Sequence, residues 1–239
     1  MSTSTPLRLC RHVSRLGHYL SRGRTKMLEL LFQGHITLFI MILFALLFSL
    51  TFHEFGHAIT AYGFGDDTAA RMGRLSLNPL VHIDWFGLLL VVLIGFGFAK
   101  PVPVDSRRFR HRSASFWVAL AGPMMNFLLA IISANLLAYG VAHGWYGFET
   151  QGVQTFLTFI ALINLLLGLF NLLPIGALDG HYIAEYLLPP PLNRHYSRLN
   201  HQYGNLFFMV LIMLSILGVP IFSFLWQFAR HLLGYLIWV

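Results

Sequence analysis

The 239-residue chain contains a single cysteine, Cys10. That excludes an intrachain disulfide and a metal site built from thiolates, so any bound metal must be held by His, Asp or Glu. Charge is almost as scarce: 10% of residues are charged against 56% hydrophobic, and the mean hydropathy is +0.67. This balance leaves no room for a separate water-soluble domain and marks a polytopic membrane protein. Acidic residues are the scarcer of the two signs, 9 against 16 Lys and Arg, which gives a formal charge of +7. The basic residues fall in short clusters beside apolar runs, as in membrane proteins whose orientation they set, so nucleic acid is not expected as a partner. There is neither an internal repeat of the transporter type nor a low-complexity tract.

Met1 to Lys26 has no acidic residue at all and is rich in Arg, Ser and Thr, with Leu9, Val13, Leu16 and Leu20 near one helical stripe. Two readings stand for this arm, taken as residues 1–34: a basic helix lying on an anionic membrane surface, or a transit peptide that is removed. Residues 35–239 read as one membrane domain. A first span starts near Ile36 and ends near Gly63 and Gly65, and the polar stretch after it reads as turns and short strands. Phe86 to Phe98 is apolar but only thirteen residues long, which predicts a re-entrant or buried segment. KPVPVD, Lys100 to Asp105, reads either as an edge strand to which an extended peptide can add or as a polyproline connector. Phe116 to Tyr139 and Thr155 to Leu173 are further spans. The apolar Asn205 to Val239, broken at Gly218-Val219-Pro220, is a kinked span or a tight helical hairpin.

Chemistry concentrates in TFHEFGHAITA, Thr51 to Ala61. On a helix, His53 and His57 project from one face and offer two imidazole nitrogens to one Zn²⁺, while Glu54 stands beside the metal to deprotonate a water. Ile36 to Phe52 carries no charged residue, and ionisable groups at such a depth are costly without a function or a partner. A catalytic zinc wants a third protein ligand and an open position. NLLPIGALDG, Asn171 to Gly180, offers Asp179 after a run broken by Pro174 and Gly176. Asp179 also suits a helix N-cap, and His82 and His181 are rival ligands. Gly122, Pro123 and Asn126 in AGPMMN read first as devices for close helix packing.

HEFGH together with NLLPIGALDG resembles the site-2 protease family of intramembrane zinc metalloproteases. GRLSLNPLVHID, GFAKPVPVD and AGPMMN are similar to its compact members without a PDZ domain, and the likeness runs from about Leu50 to Leu188. The resemblance implies one Zn²⁺ per chain held by His53, His57 and Asp179, with Glu54 as general base and acid and Asn171 positioning substrate or stabilising the oxyanion. It implies hydrolysis of peptide bonds within or near transmembrane segments of membrane-protein substrates. Because a helical substrate must unwind first, Lys100, Pro101, Val102, Pro103 and Val104 are expected to hold the unwound piece. The expected fold is all-α and polytopic, a site-2 protease-like transmembrane core with a small membrane-associated β element and a re-entrant segment.

Two other classes compete: a metal transporter or channel in which Glu54 is a further ligand, and a catalytically silent anchor for membrane segments. The expected surroundings are the lipid bilayer and a transmembrane substrate, in a bacterial inner (plasma) membrane, or in an organelle membrane if the arm is a transit peptide. For Asp179 to reach the histidines, the first span and Thr155 to Leu173 must run parallel with Phe116 to Tyr139 antiparallel between them. Their shared basic loops, Gly65 to Ser115 and Pro189 to His201, then belong on the cytoplasmic side.

Overall fold

The structure, a computed structural model, describes residues 27–95, 97–176 and 178–238. Most of the basic arm, residues 1–26, lies outside the described residues, and so does Cys10. The described chain is helical throughout: α1 Met27–Phe32, α2 Ile36–Gly63, α3 Thr68–Arg71, α4 Trp85–Ile94, α5 Ala114–Ala142, α6 Gln151–Asn171, α7 Asp179–Leu187, α8 Pro190–Leu199, α9 Asn205–Ile216 and α10 Ser223–Tyr235, with one turn of π-helix at Asn200–Gly204 between α8 and α9. Four helical stretches are long and apolar enough to cross a membrane: α2, α5, α6 and the continuous Pro190–Ile216. The 28 residues of α2 extend over about 42 Å at 1.5 Å per residue, more than the ~30 Å of a bilayer's hydrocarbon core. The protein is thus a multi-pass integral membrane protein.

Three helices make the centre. The Ile36 end of α2 and the Gln151 end of α6 line the same shallow hollow, so these two run parallel, with α5 antiparallel between them. Lipid gives no hydrophobic incentive for helices to associate, and close approach of small residues has to supply the contact instead. The buried positions answer to this: Ala45, Ser49, Gly56, Ala58 and Ala61 on α2 meet an α5 whose buried face includes Ala119, Gly122, Ala130 and Ala134. A Cβ on Gly56 would stand 2.8 Å from the Ala121 carbonyl oxygen and 2.7 Å from Met125 Cγ. Lower down, Ala130 and Ala134 join Ala161, Leu162 and Leu165 of α6 and Ala229 and Leu233 of α10 in one apolar cluster.

The C-terminal stretch is two helices, the second of which packs on the central bundle. The chain breaks after α9 at Gly218, whose φ of +98° an L side chain rarely adopts, and returns as α10 against α6. Asn135 on α5 ties down the end, donating to the Leu236 carbonyl at 2.7 Å and accepting from the Trp238 amide at 2.9 Å.

Two expectations are corrected. No strand is present among the described residues, so neither the β element nor the short strands expected after the first span form. Lys100–Val104 is extended, but Pro101 and Pro103 have no N–H, and the amides of Lys100, Val102 and the following Asp105 bond to His82, Glu54 and Asp66 rather than to a second strand. The re-entrant segment is likewise not borne out. Trp85–Ile94 is a ten-residue helix started by Asp84, which accepts from Gly87 N, and ended by Gly95 in the left-handed region. The chain then returns along it, with Gly97 against the Gly87 carbonyl, and nothing beyond apolar composition marks this unit as membrane-inserted. At the outer end of the return, the Arg107 side chain bonds to Asp105 and holds that carboxyl below the usual carboxylate range.

Overpacking the α2–α5 contact tests this arrangement. Gly56→Val forces two helix backbones apart and is expected to cost roughly 1–3 kcal/mol, read as a lowered thermal midpoint of the detergent-solubilised protein. An unchanged midpoint would remove the close contact at Gly56 from the account of the core.

Candidate metal centre

α2 presents His53 and His57 one turn apart, with ring centroids 4.6 Å apart and the rings nearly perpendicular. Asp179 comes from far along the chain as the first residue of α7. Its Oδ2 is 3.2 Å from His53 Nε2 and its Oδ1 is 3.3 Å from His57 Nε2. The three residues offer ligand atoms that all lie within 4.8 Å of one another.

Hydrogen bonds on the outer side fix where the imidazole protons are. His57 Nδ1 is 2.7 Å from the Val118 carbonyl oxygen, which only accepts, so Nδ1 carries the hydrogen. His53 Nδ1 is 2.6 Å from Asn126 Oδ1. The Asn126 amide group donates to Asn164 Oδ1 at 2.8 Å and to the Ser49 carbonyl at 3.3 Å, which leaves its oxygen as an acceptor and makes His53 Nδ1 the donor. Asn164 is oriented in turn, donating to Ser49 Oγ at 2.8 Å and to the Ile160 carbonyl at 2.9 Å. In the neutral rings each Nε2 is therefore the lone-pair nitrogen, and the two face inward 3.1 Å apart. Asp179 Oδ2 is buried there without a hydrogen-bond donor. Two imidazoles and a carboxylate whose donor atoms converge in one buried place can hold a cation there, in place of the imidazole protons that would otherwise bridge them to Asp179. Two nitrogens and one oxygen with a remaining open position are the donor set of a catalytic zinc.

Several elements hold this cluster. A Cβ on Gly122 of α5 would fall on the His57 ring and 2.7 Å from His53 Cε1, so the glycine of AGPMMN packs against imidazoles and not merely against another helix. Phe116 of α5 packs against Tyr186 of α7 with ring centroids 5.2 Å apart, seating the helix that Asp179 begins. Before Asp179, the chain leaves α6 through Pro174 and Gly176. Asn200 of the π-turn bonds both groups of Gly176, accepting from its N–H at 2.9 Å and donating to its carbonyl at 3.0 Å. Tyr196 OH donates to the Pro174 carbonyl at 3.0 Å.

The remaining expected residues divide. Glu54 is buried beside the cluster, its Oε2 accepting the Val102 N–H at 3.0 Å. Of the Lys100–Val104 run, Val102 makes that contact, while the Lys100 N–H donates to the His82 carbonyl. Asn171 ends α6 with its amide donating to the Leu167 carbonyl at 2.9 Å. Neither rival histidine joins them. His82 is buried with Nε2 at 2.8 Å from the Ser76 carbonyl. His181 faces Tyr196 and Glu185, and burial pushes its pKa down. Asn126 and Asn164 were not foreseen as supports. The signal was present in their placement, since an amide within an apolar spanning run must find an internal partner.

Comparison with known proteins agrees with this geometry. The family model of Peptidase family M50 matches residues 41–145 and 140–215. The chain belongs to peptidase family M50. It is 44% identical over 170 residues to "Putative zinc metalloprotease YwhC" of Bacillus subtilis, covering 70% of this chain and 77% of that protein. It is 33% identical over 205 residues to "Putative zinc metalloprotease Rip2" of Mycolicibacterium smegmatis, covering 82% and 75%. No solved structure matches the chain significantly. The M50 protein is therefore a zinc metalloprotease, its cofactor is Zn²⁺, and its resemblance to the site-2 protease family is met.

Outer partners of metal-bound histidines typically alter metal affinity 10–100-fold when removed. Asn126→Leu keeps the bulk and removes the acceptor, so the zinc dissociation constant, read by chelator competition, is expected to rise by roughly that factor. Wild-type affinity in this variant would detach Asn126 from the orientation of His53.

Proposed function

We propose that this M50 protease hydrolyses peptide bonds within or near transmembrane segments of membrane-protein substrates, with His53, His57 and Asp179 as zinc ligands and Glu54 as general base and acid. The observation that carries the reading is the convergence of His53, His57 and Asp179 ligand atoms within 4.8 Å, with an ionisable carboxylate beside it, near the end of a 28-residue apolar helix. When bound, zinc lowers the pKa of a water toward neutrality and polarises the scissile carbonyl. Glu54 takes one proton of that water as its oxygen adds to the carbonyl carbon, then delivers the proton to the departing amine nitrogen as the C–N bond breaks. Val102 N–H holds the carboxylate in place by one oxygen, which leaves the other for the proton.

Lys100–Val104 passes directly over Glu54, and we assign it to the unwound substrate segment as a bordering extended run, with Asn171 a substrate-contacting amide at the end of α6. The transporter reading is disfavoured by family membership and by the cluster itself, of which Glu54 is not a member. An anchor without activity has no use for an intact ligand set and base. We infer a bacterial plasma membrane with the basic loops after α2 and before α9 on the cytoplasmic side, a reading supported by the charge of those loops and by bacterial relatives such as those of Bacillus subtilis and Mycolicibacterium smegmatis.

Glu54→Gln preserves size and removes the base, so zinc content should stay stoichiometric while turnover of a single-span substrate falls by roughly 10² or more. Asp179→Ala should lose both zinc and turnover. Parallel loss of metal in Glu54→Gln would make Glu54 a ligand and return the transporter reading; full zinc and activity in Asp179→Ala would dismiss Asp179.

A further inference from the structure

Arg74, in the polar stretch between α3 and α4, is 95% buried, its relative exposure being 5%. No carboxylate lies within ion-pair distance of it among the described residues; its partners are backbone carbonyls. Nη1 donates to the Val81 carbonyl, and Nη2 donates to those of Lys100 and Pro101, at 2.6 and 3.0 Å. A buried cation without a counter-ion is an expensive way to fill space, and an apolar side chain would do so at lower cost.

The Pro101 carbonyl belongs to the same peptide group as the Val102 N–H. That group is planar and trans, so its oxygen and hydrogen point in opposite directions. Arg74 grips the oxygen, and Glu54 Oε2 takes the hydrogen at 3.0 Å. Guanidinium and carboxylate thus face each other across one peptide plane, each polarising it in the sense that strengthens the other's bond. The flanking prolines restrict their own φ and that of the residue before each of them, so the plane has little freedom to turn once its oxygen is held. Asp66, fully buried, anchors the far end by accepting the Asp105 N–H at 2.7 Å.

We propose that Arg74 is a positioning residue for catalysis, acting through the Pro101–Val102 peptide to hold the Glu54 carboxylate in its working orientation. The proposal rests on Glu54 being the proton carrier. Lysine retains the charge of Arg74 but not the planar fork that spans several carbonyls. Arg74→Lys and Arg74→Gln should therefore lower kcat by about 10–100-fold, within the range that general-base catalysis contributes, with KM changed by less than about twofold and zinc content and thermal midpoint retained.

Val102→Pro removes only the N–H from a position already between two prolines. It should reproduce the kcat loss, and it decides the matter if the Arg74 variants fail to fold. In a Glu54→Gln background, neither substitution should lower the residual turnover further, because groups acting as one unit are not additive. A folded, zinc-loaded Val102→Pro or Arg74→Lys protein with kcat within twofold of wild type would overturn the proposal, as would additive losses with Glu54→Gln or a loss confined to KM. Failure of Glu54→Gln alone to reduce turnover would instead sink the assignment of Glu54, and the two failures are thereby distinguished.

Discussion

Two imidazole protons held on the outward side of their rings determine what this structure can do. With Val118 O and Asn126 Oδ1 as acceptors, His53 and His57 turn lone pairs toward one point, and Asp179 closes that point from across the bundle. In lipid the outward acceptors have no water to replace them, so the network extends through Asn126 and Asn164 to Ser49 until every polar atom has a partner. The small residues at the α2–α5 contact serve the same end. Gly122 lets α5 approach closely enough for its carbonyl and amide to reach the rings.

The third member of the cluster depends on topology. Because α2 and α6 run parallel, the break after α6 occurs at the depth of the two histidines, and a short turn through Pro174 and Gly176 suffices to deliver Asp179. The π-turn residue Asn200 fixes that turn from the opposite side, using both of its amide groups on one glycine. A single inserted residue in this helix, between α8 and α9, therefore has a local task.

Glu54 is treated differently from the ligands. It meets a backbone N–H contributed by an extended run that is itself secured by three buried side chains or backbones: Arg74 on its carbonyls, His82 O at its start and Asp66 at its end. In a site largely shielded from water, a carboxylate held by a fixed dipole keeps its direction without solvent having to reorganise around it. The run looks like a strand because proline and valine alternate, yet its amides are spent on side chains and loop carbonyls, which is why no sheet forms.

Sequence alone settled whatever depends on composition and on spacing within one helix. Long uncharged runs dictate spanning helices because the backbone has no other way to satisfy itself in lipid. An H-E-x-x-H spacing dictates two imidazoles on one face because a helix turns once in 3.6 residues. Asp179 was legible as a ligand only with its rivals still standing, since nothing local separates it from His181 two positions on. The tertiary structure brings Asp179 within 3.3 Å of both histidines and turns His181 toward Tyr196 and Glu185. It alone also revealed Asn126 and Asn164 as the orienting amides, Arg74 as a buried cation on a strap of carbonyls, and the extended run without a sheet. The deciding contacts among these join residues 26 to 115 positions apart, and hydrogen bonds at that range are set by how helices cross and not by any periodicity along the chain.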